Sequence, residues 1–171
     1  MKKKFSFSLR NGLVGHRTAS NVADFRKPIV VVYYNVDYVR DTKGTNYVRN
    51  RILKVAKKLA DENVGVHFAV SNAEEFRHEL SEFGMEDVKK DGKYVLARGP
   101  NSEKYKFSGE FTYEAVEDFA RKLAKKELEA YLKSQPVPEQ TDDVKVVVAK
   151  NFDEIVNDKT KDVLIEFYAP W

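Results

Sequence analysis

The sequence predicts an α/β fold in which a mixed central sheet is flanked by helices. Two observations support this prediction. Strand-like runs of β-branched and aromatic residues alternate with stretches of helical periodicity, an order typical of sheets covered by helices on both faces. Hydrophobic residues also make up 42% of the 171 residues. This is enough apolar material for a buried core, although 33% of the residues are charged.

Three elements are predicted before residue 37. Residues 12–17 indicate a short strand or turn, and residues 19–25 a short helix behind a Thr18 or Ser20 cap. Residues 29–36, IVVVYYNV, are largely β-branched and aromatic. This composition is typical of a central strand that is buried on both faces.

A long amphipathic helix is predicted next, over residues 45–62. Val48, Ile52 and Leu59 recur there at helical spacing and form one apolar face. Residues 64–70 predict a second buried strand, and residues 73–83 a second helix that ends before Gly84.

The domain is expected to close with a hairpin and a helix. Residues 93–98 and 103–107 are strand-like and flank a turn of Gly, Pro, Asn and Ser. Thr112 has the character of an N-cap, so a helix is predicted from there to about residue 132.

A second, incomplete domain is predicted after a linker. Residues 134–143, SQPVPEQTDD, contain two prolines and no apolar periodicity, as in a linker. Beyond them the chain repeats itself, because the strand-like residues 161–171 match residues 27–37 at an offset of 134. The predicted organisation is an N-terminal extension (1–11), a domain (12–133), the linker (134–143) and a truncated domain (144–171).

Composition excludes several kinds of chemistry. The chain has no cysteine, so disulfides, thiolate metal sites and cysteine nucleophiles are ruled out. Its three histidines lack metal-ligand spacing, and no glycine-rich phosphate loop or other cofactor motif occurs. The sequence also contains neither a nucleic-acid recognition motif nor an apolar stretch long enough to cross a membrane.

Basic residues concentrate in the longer, first part of the chain. Residues 1–133 hold 26 Lys and Arg against 19 Asp and Glu, whereas residues 134–171 hold 4 against 8. On the predicted helix 45–62 and the residues before it, five side chains fall within about 80° at 100° per residue: Lys43, Tyr47, Arg51, Lys54 and Lys58. Such a stripe is either a solvated helix face or a site for an acidic partner.

The last segment resembles a known family. Residues 146–171, VVVAKNFDEIVNDKTKDVLIEFYAPW, resemble the start of a catalytic thioredoxin-like a′ domain of the protein disulfide isomerase family, whose next residues would be Cys-Gly-His-Cys. Upstream, DTKGTNYVRNR, FAVSNAEEFRHELSEFG and YLKSQPVPE resemble the redox-inactive b′ domain of the calnexin- and calreticulin-associated, glycoprotein-specific branch of that family.

The resemblance implies a fold, a location and partners. It implies a thioredoxin-like b′ domain, followed by a partial second thioredoxin-like domain, from an isomerase of the endoplasmic reticulum lumen. By the internal repeat, the positions that hold the cysteines of a catalytic domain correspond to about residues 38–41, which are Tyr, Val, Arg and Asp. None of these side chains can form a thiolate, so the chain itself is not expected to be an enzyme.

The resemblance also implies binding residues. The positions that match Lys43 and Arg51 belong to a patch that binds the acidic arm of calnexin or calreticulin, and Arg49 lies between them. The predicted partner-binding residues are Lys43, Tyr47, Arg49, Arg51 and Lys54. An alternative is a general chaperone domain that binds unfolded peptides or glycoproteins in an apolar cleft.

The truncated domain is not expected to fold alone. About 30 residues lie below the size at which domains bury enough surface to fold unaided. The strand-like residues 144–148 and 163–168 are therefore expected to be disordered or to pair with a sheet edge, that of another copy included.

Overall fold

A computed structural model describes residues 12–169 of the chain. The predicted N-terminal extension, residues 1–11, lies outside these residues. The chain divides into two compact units, one ending at Tyr131 and one starting at Leu132. Among the described residues, no helix is both long and apolar enough to cross a membrane.

The first unit is built on a five-stranded mixed sheet in the spatial order β1-β3-β2-β4-β5. Strands β1, β2 and β3 are parallel, whereas β4 and β5 are antiparallel to their neighbours. The strands are β1 (Val14–Arg17), β2 (Ile29–Tyr34), β3 (His67–Asn72), β4 (Tyr94–Arg98) and β5 (Lys104–Lys106). The predicted fold class and the predicted hairpin are confirmed.

Strand β2 occupies the centre of the sheet, as its composition predicts. All six of its residues are buried, because their side chains alternate between two apolar clusters on opposite faces of the sheet. On one face, Val30 and Val32 pack with helices α1 (Thr42–Asp61) and α3 (Tyr113–Lys125). On the other face, Ile29 and Tyr33 pack with the segment around helix α2 (Arg77–Glu82).

Side-chain caps fix the starts of the two long helices. The Asp41 carboxylate accepts a hydrogen bond from the Gly44 N–H at 2.9 Å, so α1 begins three residues before its predicted start. The Thr112 hydroxyl accepts from the Ala115 N–H at 3.1 Å, which confirms the predicted cap of α3. Each cap satisfies a backbone donor that the first helical turn leaves without a partner.

The predicted helix over residues 19–25 is wrong. The structure has a single 3₁₀ turn, Val22–Asp24. The Asn21 side chain accepts from the Thr18 N–H at 2.8 Å and donates to the His16 carbonyl at 3.0 Å. These local bonds fold the segment into a turn, and such bonds compete with helix formation.

Two other predicted helices are shorter than expected. Before α2, the Asn72 side chain accepts from the Glu74 N–H at 2.9 Å, which holds residues 73–76 in turns. Helix α3 ends at Lys125 because Lys126 adopts a left-handed backbone with φ 61°. The chain then returns to the sheet, where the Tyr131 N–H donates to the Lys104 carbonyl.

Between residues 132 and 169, the second unit contains one short helix, α4 (Phe152–Val156). Neither residues 144–148 nor residues 163–168 form a strand in the described part of the chain, and the expectation that they are disordered or pair with a sheet edge stays a prediction. The Gln140 side chain both accepts from the Val146 N–H and donates to its carbonyl, each at 3.0 Å, and these are the groups that a strand would offer to a neighbour.

Candidate functional site

Helix α1 carries the predicted cationic stripe on its solvent side. We call Lys43, Tyr47, Arg51 and Lys54 the basic surface. Lys43 and Lys54 are exposed, and Tyr47 is 58% exposed, whereas Val48, Ile52 and Leu59 on the apolar face of the helix are buried. The basic surface is therefore accessible to a partner.

Arg51 is held in place by two aromatic rings. Its guanidinium carbon lies 3.4 Å from the Tyr47 ring centroid and 5.8 Å from the Tyr113 ring centroid. Its Nη1 also donates to the Tyr47 carbonyl at 3.3 Å. Cation–π contacts of this kind orient a guanidinium and keep its charge. Tyr47 and Arg51 thus act as one structural element of the surface.

Tyr113 extends this cluster from a different helix. It is the first residue of α3, so periodicity along α1 could not indicate it. Burial raises the pKa of its phenol, and the Arg51 charge opposes that rise only in part. The phenol stays neutral at pH 7, and its ring lies beside Arg51 of the basic surface.

Two other cations on α1 and α3 differ from those of the basic surface, because each forms an ion pair with a carboxylate of the domain. The Lys58 ammonium lies 2.8 Å from Glu117, and Arg121 lies 2.8 Å from the same carboxylate. Hydrogen bonds from these two cations hold the pKa of Glu117 below its usual value. Within residues 12–169, by contrast, no carboxylate forms an ion pair with Lys43, Arg51 or Lys54.

Arg49 differs from the other predicted binding residues. It is half-buried, and its Nη2 donates to the Val14 carbonyl at 2.9 Å. This bond ties helix α1 to strand β1 at the sheet edge. Its part in partner binding stays a prediction, but the bond gives it a structural role.

We expect Arg49→Met to lower the free energy of unfolding by about 1.5–3 kcal/mol, because a charge-assisted bond to a buried strand is lost. Urea denaturation compares it with Lys54→Met, an exposed cation of the same helix, for which we expect a loss of about 0.5 kcal/mol or less. Equal losses for the two variants would contradict the structural role of Arg49.

The loop at the positions predicted to match cysteines offers no redox chemistry. The Asp37 carboxylate accepts from the Val39 and Arg40 N–H groups at 2.9 and 2.8 Å, and these bonds hold its pKa below the usual range. The chain contains no cysteine, so no thiolate can form and this domain is redox-inactive. In the described residues, no three His, Asp or Glu side chains cluster in a way that could hold a metal ion.

A cavity of about 570 Å³ lies on the opposite face of the sheet, next to α2. We call it the α2-face cavity. Glu79 of α2 lines the cavity and binds Arg17 of β1 at 2.7 Å and Arg98 of β4 at 3.0 Å. The Tyr33 hydroxyl also donates to Glu79 at 3.0 Å. Sequence periodicity did not indicate this group, because its members come from four different elements.

Burial and ion pairing act on Glu79 in opposite directions. Burial alone would raise the pKa of its carboxyl, but the bonds and charges of Arg17 and Arg98 together with the Tyr33 hydroxyl outweigh it. The pKa of Glu79 therefore lies below its usual value. Burial also raises the pKa of Tyr33, helped by the neighbouring Glu79 charge, so the phenol stays protonated.

The sequence of the chain is similar to a protein family and to several known proteins. A family model described as a thioredoxin-like domain matches residues 3–122. The chain is 45% identical over 173 residues to protein disulfide-isomerase A3 of Gallus gallus, and the match covers 99% of this chain and 34% of that protein. It is 42% identical over 168 residues to the probable protein disulfide-isomerase A4 of Caenorhabditis elegans, covering 93% of this chain and 26% of that protein.

A solved structure shares the fold. The bb fragment of ERp72 matches with a TM-score of 0.60 and 30% sequence identity, over 68% of this chain and 51% of that chain. The chain spans about a third or less of the length of the two curated relatives. The shared region therefore corresponds to a part of each of those proteins.

Proposed function

The chain belongs to the thioredoxin-like domains of the protein disulfide isomerase family, and from this premise we propose that its first unit docks an acidic protein partner through the basic surface. One observation carries the proposal. Lys43, Arg51 and Lys54 share one face of α1, on which Lys43 and Lys54 are exposed and Arg51 is half-buried, and no described carboxylate forms an ion pair with them. Neighbouring cations such as Lys58 are paired within the domain.

The side chains of the basic surface are suited to binding carboxylates. Arg offers a planar fork that binds a carboxylate through two N–H groups, whereas Lys offers a compact point charge. Because Tyr47 and Tyr113 hold the Arg51 guanidinium, less side-chain freedom is lost when it binds, and this lowers the cost of association.

We propose that the partner is the acidic arm of a lectin chaperone of the calnexin and calreticulin type. In the whole protein, proposed to be a disulfide isomerase of the endoplasmic reticulum lumen, docking would bring catalytic domains to glycoproteins that the chaperone holds. The mechanism is a raised local concentration of substrate. It requires no chemistry from the present chain.

A second candidate is the binding of unfolded peptides in an apolar cleft. One observation favours it, since the α2-face cavity has walls such as Phe25, Phe76 and Leu96 that could receive apolar side chains. The two candidates use opposite faces of the sheet and different forces.

Salt distinguishes the two candidates. We expect the affinity for an acidic arm peptide to fall at least tenfold between 50 and 500 mM NaCl, because salt screens exposed charges with a Debye length of about 10 Å at 0.1 M. Calorimetric titration measures the affinity, and an uncharged peptide rich in Phe and Leu is the control. An affinity for the acidic peptide that does not change with salt would contradict docking at the basic surface.

A further inference from the structure

The α2-face cavity combines apolar walls with a bonded cluster of charged side chains, Arg17, Glu79 and Arg98. Its apolar walls come from strands β2 and β4, the α2 segment and the chain before β2: Phe25, Ile29, Val31, Phe76, Phe83 and Leu96. Its volume of about 570 Å³ lies within the range of roughly 300–1,000 Å³ that is typical of small-molecule sites. The cavity has room for a ligand with an apolar body.

The ion-pair network that includes this cluster carries an excess of positive charge. Arg17 and Arg98, whose side chains are 8% and 23% exposed, both bind the carboxylate of Glu79, which is 13% exposed. Tyr33 contributes a neutral hydroxyl. Together with Lys104 and Glu82, these side chains form an ion-pair network of three cations and two carboxylates with a net charge of +1, and water screens charges weakly at its buried members.

The charges nearer to solvent compensate one another. Glu82 lies 2.9 Å from Lys104 and 3.5 Å from Arg98, and the side chains of Glu82 and Lys104 are about one-third exposed. The exposed residues Lys27 and Glu75 have opposite signs and use their charged groups on Ser102 and on the Ala19 N–H. The positive excess therefore belongs to the network of Arg17, Arg98, Lys104, Glu79 and Glu82.

We propose that the α2-face cavity binds an organic monocarboxylate whose apolar group fills the space between the aromatic walls. Arg98 donates to Glu79 through Nε and Nη2, and its Nη1 carries two further N–H donors for the ligand. A single negative charge there neutralises the positive excess of the network, and guanidinium–carboxylate bonds are among the stronger hydrogen bonds in proteins. The site lies on the other face of the sheet from the basic surface and does not depend on the proposed docking function.

Two probes that differ in charge but share the same apolar group test whether the cavity recognises a carboxylate. Calorimetric titration of the 171-residue chain compares 3-phenylpropanoate with 3-phenylpropanamide, which has the same apolar group without the charge. We expect the carboxylate to bind at least about tenfold more tightly, which is the ratio expected for one charge-assisted hydrogen bond. Equal affinities would overturn the proposal.

A cavity-filling variant tests the location. Ala23 is an exposed residue that lines the cavity, so Ala23→Trp should block the cavity and leave the core unchanged. Val39, which is 92% exposed and lies away from the cavity lining, gives the control Val39→Trp. We expect Ala23→Trp to weaken 3-phenylpropanoate binding at least tenfold and Val39→Trp to leave it unchanged, with both melting temperatures near that of the wild type. Undiminished binding by a folded Ala23→Trp variant would overturn the proposed site.

Two kinds of ligand carry a carboxylate next to an apolar group. One is a free small acid, and the other is the C-terminus of a peptide that ends in an apolar residue. A pentapeptide that ends in Phe, with a free or an amidated C-terminus, distinguishes them. Binding of only the free-carboxylate peptide, abolished by Ala23→Trp, identifies a peptide C-terminus as a ligand. If 3-phenylpropanoate binds but neither peptide does, the ligand is a small acid. Failure of 3-phenylpropanoate and of both peptides to bind would overturn the proposal and leave docking at the basic surface unaffected.

Discussion

Replacing Glu79 with alanine should lower the free energy of unfolding by about 3 kcal/mol or more, the range found when one partner of a buried ion pair is removed. The substitution leaves Arg17, with a side chain only 8% exposed, and Arg98 without their shared carboxylate. It also removes the acceptor of the Tyr33 hydroxyl. Urea denaturation at pH 7 measures the loss.

An exposed ion pair provides the matched control. Glu74 lies 2.6 Å from Arg77, and both side chains are more than half exposed. Glu74→Ala removes the same kind of contact from the same segment, and we expect a loss of about 0–1 kcal/mol because water screens the pair. Similar losses for the two variants would show that the Glu79 network does not stabilise the domain.

The pH dependence of stability gives a second readout of the Glu79 network. Because the folded state holds the pKa of Glu79 below its ordinary value of 4.5, its contribution is fully present above pH 4.5. It is lost as the pH falls through the lower pKa of the folded state. The difference in unfolding free energy between the wild type and Glu79→Gln should therefore shrink as the pH drops below 4.5. A difference in unfolding free energy that does not change with pH would contradict the lowered pKa of Glu79.

The sequence predicted the elements better than it predicted the contacts between them. Strand β2 was recognisable because all its residues suit a strand with two covered faces, and periodicity placed Val48, Ile52 and Leu59 on the buried side of α1. The predicted helix over residues 19–25 failed because the Asn21 side chain takes part in local bonds that composition does not reveal.

In the candidate sites, too, contacts within one element could be predicted from the sequence, whereas contacts between elements could not. Tyr47 and Arg51 are four residues apart on one helix, so their proximity follows from helical geometry. Arg17 and Glu79 are 62 positions apart, and only the packing of α2 on the sheet brings them together. The chain before β2, which lines the α2-face cavity, is irregular, and no periodicity marks it.

The second large effect should appear in binding. We expect the double variant Lys43→Ala/Arg51→Ala to lose affinity for the acidic arm of calnexin by a factor on the order of 100, because two charge-assisted bonds are removed. Lys90→Ala removes an exposed cation from the loop between α2 and β4 and should leave the affinity unchanged. The fold should survive, because loss of the Arg51 contact with Tyr47 costs about 1 kcal/mol or less.

Docking through the basic surface is tested most directly by calorimetric titration of Lys43→Ala/Arg51→Ala with the acidic arm at 50 mM NaCl, alongside a thermal melt of the same sample. We predict a melting temperature within a few degrees of the wild type and an affinity that is lower by a factor on the order of 100. Wild-type affinity in a folded double variant would contradict docking through the basic surface.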